Sequence, residues 1–269
     1  MNGINPEKVL LVGDVHGQIR QLSRALDLAV DNDVKVVVQL GDFGIWPGNS
    51  GAWFLRDVNS VLDKLDITLL FVEGNHEDFD QIAAMPVDPE TGLQSWGAHL
   101  FRMPRGYRTV WQGLNIAALG GAHSVDRQWR LEDAPDLHWE AEHVTEEEAT
   151  AFSESGPADI IFMHDSPDGA PNSVTDDPRN LGAKFFPQAE LDLAQKHREL
   201  LATAVNPTSP ALIAHGHYHQ YMTGRYRPEG AARDCTVLGL SEGGERNLVQ
   251  YTHLLDLTTF EKTFLTDER

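Results

Sequence analysis

Short apolar runs recur along the chain, and several of them stop abruptly at a glycine or at a polar residue able to bind a metal. Val9 to Val12 is apolar and ends at Gly13-Asp14. Val34 to Leu40, broken by Lys35 and Gln39, ends at Gly41-Asp42, and Ile67 to Val72 stops just before Gly74-Asn75-His76. Runs of this length bounded by turn residues predict buried strands. Between them, Gln18 to Val30 carries Ile19, Leu22, Leu26 and Ala29 at helical spacing, and Ala52 to Lys64 carries Leu55, Val58 and Leu62 on one face. The β-α-β-α-β alternation with short connections predicts an α/β sheet.

Further along, Tyr107 to Trp111 and Leu114 to Leu119 read as two strands joined at Gln112-Gly113, the second closed by Gly120-Gly121. From Glu132 to Glu154 there are nine acidic residues and no Lys or Arg. That stretch predicts a surface loop and then a helix, opened by Thr145-Glu-Glu-Glu as a capping box. Asp159 to Met163 predicts a strand ending at His164-Asp165, and Asp168 to Pro187, rich in Pro, Gly, Asn and Asp, a long loop. Gln188 to Thr203 predicts a helix, and Ala211 to Ala214 a strand running into His215-Gly216-His217-Tyr218-His219. Tyr221 to Thr263 alternates like antiparallel strands, with no helical signal. No repeat, heptad pattern or linker interrupts the series, so one domain over residues 1–269 is expected.

Composition narrows the chemistry. Hydrophobic residues make up 41% of the 269, enough for a core, and no apolar run approaches the roughly 20 residues of a membrane span. The polar N-terminus lacks the basic and apolar regions of a secretory signal, so the expected location is the cytoplasm, with no membrane partner. The single cysteine, Cys235, reads as a small buried hydrophobe, which leaves His, Asp, Glu and Asn to hold any metal. With 41 acidic against 21 basic residues, the formal net charge is −20. That opposes stable binding of duplex nucleic acid but not of a small phosphorylated substrate, because bound cations reverse the field locally.

The polar groups at the strand ends have metal-ligand spacing. Asp14 and His16 lie two residues apart and point the same way on extended chain, as do His217 and His219. Asp42 carries two oxygens able to bridge two cations, Asn75 adds a neutral oxygen, and His164 follows an apolar strand. Each has a plain alternative: a helix cap, a turn former or a structural histidine. His215 also fits by spacing. Mixed nitrogen and oxygen donors without thiolate suit Mn, Fe, Zn or Ni better than Ca or Mg.

In that order, Gly13-Asp14-Val15-His16-Gly17, Gly41-Asp42, Gly74-Asn75-His76-Glu77, Met163-His164-Asp165 and Gly216-His217-Tyr218-His219 resemble the five signature blocks of the calcineurin-like metallophosphoesterases. The resemblance implies a four-layer α/β/β/α sandwich of two mixed sheets flanked by helices, with two divalent ions, Mn²⁺ or Fe²⁺ foremost, at one edge. One ion would take Asp14, His16, His219 and bridging Asp42; the other Asp42, Asn75, His164 and His217. His76 would act on the substrate, and Asp165 is a candidate for orienting a ligand imidazole. Such a pair clamps phosphate oxygens and acidifies a water that attacks phosphorus in line. Gly120 to Arg127 also resembles a block of small bacterial and phage members, which makes His123 and Arg127 candidate substrate contacts or else parts of an ordinary surface loop.

Two departures bear on substrate. The family's protein phosphatases have an Asp where Ile45 stands and an Arg where Glu73 stands. Both changes weaken a protein-phosphatase reading and favour a phosphodiester, such as a cyclic nucleotide. The competing readings are a phosphomonoesterase or protein phosphatase, and a catalytically silent metal- or nucleotide-binding module.

Overall fold

The computed structural model describes residues 3–133, 139–172, 185–228, 231, 233–244 and 248–260. The parts of the acidic stretch at 134–138 and of the predicted long loop at 173–184 lie outside them.

Two six-stranded mixed sheets form the centre. The first has the order β12-β1-β2-β3-β5-β4. Its strands are β1 (Lys8–Val12), β2 (Val36–Gln39), β3 (Thr68–Phe71), β4 (Gln94–Ser95), β5 (Leu100–Arg102) and β12 (Thr252–Asp256). β1, β2, β3 and β5 are parallel, and β12 and β4 close the edges antiparallel. The second sheet has the order β10-β11-β9-β8-β7-β6. It comprises β6 (Arg108–Trp111), β7 (Leu114–Leu119), β8 (Ile160–Met163), β9 (Leu212–His215), β10 (Met222–Tyr226) and β11 (Cys235–Gly239). Here β7, β8, β9 and β11 are parallel, with β6 and β10 antiparallel at the edges.

Alternation along each strand divides the apolar residues among layers, because neighbouring side chains point to opposite faces. Val9, Leu11, Val38 and Leu70 of the first sheet face Ile116, Ile160, Phe162 and Leu212 of the second in the central core. The intervening residues, such as Leu10, Val12, Val37 and Leu69, pack outward on α1 (Ile19–Asp31), α2 (Gly48–Leu65) and α3 (Phe79–Ala84). On the other side Ala117, Ile161 and Ile213 pack on α5 (Glu146–Glu154) and α6 (Gln188–Val205). The strands are apolar on both faces because both faces are covered. The outcome is the four-layer α/β/β/α arrangement.

Most predicted elements are present. The capping box at α5 forms as predicted: Thr145 Oγ1 accepts from Glu148 N (3.1 Å), and Glu148 Oε2 accepts from Thr145 N (2.9 Å). The C-terminal stretch holds antiparallel strands as expected, β10 on β11 and β12 on β1. It departs from expectation in two ways: β11 also runs parallel to β9, and a one-turn helix, α7 (Leu248–Tyr251), precedes β12. Alternation reports which face a residue occupies, but not which neighbour the strand takes or in which direction. Short α3, β4, β5, α4 (Arg127–Asp133) and a 3₁₀ turn at Glu140–Glu142 carry too few residues for a readable period. Among the described residues, no helix is long and apolar enough to cross a membrane.

The central core supplies a stability test. Phe162 is fully buried, with its ring 6.0 Å from that of Trp111. Phe162→Ala should cost about 3–5 kcal/mol, measured by urea unfolding. Trp53→Ala, at a side chain 58% exposed, should stay within roughly 0.5 kcal/mol of the parent.

Candidate metal centre

The parallel strands β1, β2, β3, β8 and β9 end along one edge, where open α/β sheets hold ligands. The loops there are laced together by backbone bonds. Val15 N and His16 N both donate to Asp42 O (3.0 and 2.7 Å), Gly17 N to Phe43 O (3.0 Å), and Gly216 N to His164 O (3.1 Å). Two glycines allow close approach. A Cβ at Gly74 would stand 2.0 Å from Asp42 Oδ1, and one at Gly216 would stand 2.1 Å from Asp14 Oδ1. His16, Asp42, His217 and His219 adopt φ of 47°, 51°, 70° and 53°. Non-glycine residues in this left-handed region cost of order 1–3 kcal/mol each and persist only where the surroundings fix them.

All seven predicted ligand residues converge. In one group, His16 Nε2 lies 3.1 Å from His219 Nε2 and 3.8 Å from Asp42 Oδ2, and His219 Nε2 lies 3.1 Å from Asp14 Oδ2. Asp14, His16, Asp42 and His219 each bring a ligand atom within 4.8 Å of the others. In the other, His164 Nε2 lies 3.0 Å from Asn75 Oδ1 and 3.4 Å from Asp42 Oδ1. The His217 ring stands beside His164, with centroids 5.0 Å apart, and its backbone N–H donates to Asp14 Oδ1 (3.0 Å). The two oxygens of Asp42 thus face different groups.

The electrostatics of this edge call for cations. His164 Nδ1 faces the Leu40 carbonyl at 2.7 Å and must donate to it. A neutral His164 therefore presents the lone pair of Nε2 to two oxygens, one of them a carboxylate. Lone pairs facing one another need a proton or a metal ion between them, so the donor set fits divalent cations. Without an ion the proton takes that place. Burial alone would depress His164, but the carboxylate of Asp42 outweighs it and drives the imidazole up to about 10. Burial opposes ionisation of Asp42 as well; His164, His76 and His16 overcome it and hold the carboxyl well below its usual range. His217 behaves oppositely, as burial pushes it down to about 4.

Several supporting residues lie outside the predicted set. Asn75 Nδ2 donates to Ser124 Oγ (2.8 Å), and Ser124 Oγ donates its proton to Glu142 Oε2 (2.9 Å), which also takes Arg130 Nη2 (2.9 Å). Because that hydroxyl proton is committed to a carboxylate, Ser124 can only accept from Asn75. The amide NH₂ must face Ser124, and Oδ1 must face His164. Glu77 is buried beneath the loop after β2 and accepts Phe43 N (2.6 Å), Gly44 N (3.1 Å) and Ile45 N (2.7 Å). Burial and Asp42 raise its carboxyl to about 7 against those three donors. Glu242 Oε2 stands 3.5 Å from His219 Nδ1. Glu77 and Ser124 lay within recognised blocks, though neither was singled out there; Glu142 and Glu242 are ordinary polar residues with no spacing to mark them.

His76 is clamped through its backbone, its N–H on Asp42 Oδ1 (2.9 Å) and its carbonyl on Trp46 Nε1 (3.0 Å), and its ring lies 5.8 Å from that of His16. Asp165 does not bond a ligand imidazole. It accepts from Tyr218 OH and pairs with His197 Nδ1 (3.2 Å), steadying the residue between His217 and His219. His215 is buried with Nδ1 on the Gly216 carbonyl, outside both groups. Ile45 is buried, and Glu73 is tied inside the fold to Arg102 Nε and Arg105 Nε at 2.8 Å each. His123 is buried against His143 and Glu190, while Arg127 pairs with Glu140 (3.0 Å). Both line a cavity of about 350 Å³, together with Glu140, His143, Lys196 and His197. Cys235 is buried, which raises its thiol to about 12.

The chain belongs to the calcineurin-like phosphoesterase family, whose model matches residues 7–221. Members of that family bind divalent metal ions. Comparison with curated proteins finds no match. Among solved structures, the chain is similar to TT1561 of Thermus thermophilus, with 16% identity and a TM-score of 0.50 over 94% of this chain and 99% of that one. At such identity the likeness concerns the fold. A structure described as a novel archaeal phosphodiesterase aligns at 12% identity and a TM-score of 0.41, over 93% of this chain and 99% of that one.

Ser124→Ala should leave the buried amide of Asn75 without its acceptor and cost about 1–3 kcal/mol in urea unfolding, with Ser124→Thr restoring most of it. Equal stability of parent and alanine variant would show that the amide has another partner.

Proposed function

We propose that the chain is a dinuclear metal-dependent phosphodiesterase acting on a small substrate, with a cyclic nucleotide as the leading class. The observation that carries this reading is the division of Asp42. Its Oδ2 faces His16 and its Oδ1 faces His164, so one carboxylate stands between two sets of donors. Asp14, His16, Asp42 and His219 would hold one ion, and Asp42, Asn75, His164 and His217 the other. When bound, such a pair supplies Lewis acidity to the phosphoryl oxygens and lowers the pKa of water. Manganese and iron suit these donors, with zinc and nickel as alternatives.

The protein's own groups do the rest. The Leu40 carbonyl fixes the His164 tautomer, and Ser124 fixes the face of Asn75. Backbone bonds hold His76 at the rim and leave its imidazole available to donate to a phosphoryl oxygen or to the departing alkoxide. The preference for a diester rests on charge. A monoester dianion gains most from a guanidinium at the site, yet position 73 is a glutamate turned inward, with Arg102 and Arg105 drawn in beside it. Of His123 and Arg127 at the cavity, Arg127 is the candidate for contacting the remainder of the substrate, since both ring nitrogens of buried His123 are engaged by His143 and Glu190.

The test uses chelator-stripped protein reloaded with Mn²⁺. Turnover of bis(p-nitrophenyl) phosphate and of 2′,3′- and 3′,5′-cyclic nucleotides should exceed that of p-nitrophenyl phosphate in kcat/KM. His76→Ala should lower kcat by about 10²–10⁴-fold, and Asp42→Asn should abolish binding of at least one ion. Turnover confined to the monoester would overturn the diester reading. Activity undiminished in both variants would overturn the mechanism.

A further inference from the structure

Among the described residues, a second group besides that at Asp42 brings ligand atoms within 4.8 Å of one another: His123, Glu142 and His143. It lies beyond β7, where the 3₁₀ turn at Glu140–Glu142 folds back on the loop carrying Ser124. We propose that these three residues form a separate binding site for a divalent ion of the zinc type.

The donor atoms are set for it. His123 Nδ1 and His143 Nε2 face each other at 2.7 Å, and His143 Nε2 lies 3.5 Å from Glu142 Oε1. The other nitrogen of His123, Nε2, meets Glu190 Oε2 at 2.8 Å. A carboxylate there accepts the Nε2 proton and turns the Nδ1 lone pair into the group, the arrangement that orients imidazoles in metal sites. Arg130 and Ser124 Oγ occupy Glu142 Oε2, while Oε1 takes Ser124 N (3.1 Å) and keeps a lone pair towards His143. Two imidazoles and a carboxylate, with a fourth position open, make a common zinc set. Burial holds both imidazoles below their ordinary range, His143 at about 4, so they are neutral ligands at pH 7.

Binding needs a small rearrangement. At about 2.0–2.1 Å from a tetrahedral zinc, two nitrogens stand roughly 3.3 Å apart, so the pair opens by roughly half an ångström. The proton now shared between the rings leaves His143 Nε2, and Nδ1 takes one from solvent. His143 has the freedom to do this, since its side chain is 26% exposed. It borders the 350 Å³ cavity, which gives the ion an entry path and room for a water ligand. The carboxylates of Glu142 and Glu190 offset the positive charge of Arg130 beside the group.

The alternative is a neutral chain of hydrogen bonds from His143 through His123 to Glu190. His143→Gln separates the two, because a glutamine amide can still donate to His123 Nδ1 but is a poor zinc ligand. Chelator-stripped wild type, His143→Gln and His143→Ala are loaded with Zn²⁺, desalted, and their zinc content per chain is counted by mass spectrometry. Both variants should hold one zinc fewer than wild type. The same loss should appear when His143→Gln is made in an Asp42→Asn background. Only the difference between chains is read, so neither the number of ions at Asp42 nor the absence of phosphoesterase activity affects the result. Equal zinc content in wild type and His143→Gln would overturn the site.

Discussion

The rest of the metal edge depends on the surroundings of Asp42. Its carbonyl ties down the loop after β1, its Oδ1 holds the backbone of His76, and its two oxygens look towards imidazoles from opposite groups. A buried carboxylate so placed is tolerable only with positive charge on each side. In a metal-free chain His164 supplies some of that charge by keeping a proton. An ion would take the proton's place on a ring whose tautomer the Leu40 carbonyl already fixes. Metal binding and deprotonation of the edge are therefore linked.

The outline of this edge was readable from sequence because two periodicities coincide there. Strands buried on both faces appear as unbroken apolar runs, and the polar residue that ends each run marks the edge of a sheet. Asp14, Asp42, Asn75, His164 and His217 were recognisable in that way. Their supports were not. Ser124 lies 49 residues from Asn75, and Glu142 is one acid among nine in its stretch. Ser124 falls inside the Gly120 to Arg127 block, but nothing there gives its role, which arises from a long-range contact between the loop after β7 and the end of β3; nothing local distinguishes Glu142. The partners of the C-terminal strands were out of reach for a related reason: β12 joins the first sheet through pairing with β1, some 240 residues earlier.

Charge also looks different in three dimensions. A formal charge of −20 describes the whole chain. Near the metal edge, Glu73 binds Arg102 and Arg105, Glu142 binds Arg130, and Glu190 faces His123. Buried carboxylates and guanidiniums cancel locally and hold loops in place, which leaves the edge itself without a free guanidinium from these pairs. The proposed preference for a less charged phosphate ester rests on what the arginines are already holding.

The left-handed backbone at His16, Asp42, His217 and His219 has an evolutionary consequence. Glycine would relieve backbone strain at any of the four positions, so at His16, His217 and His219 mutation can make the molecule sturdier while removing a proposed metal donor. Drift towards a more stable scaffold is then opposed only by selection for activity. A descendant that lost its catalytic task would be expected to lose these side chains early, with its sheets intact.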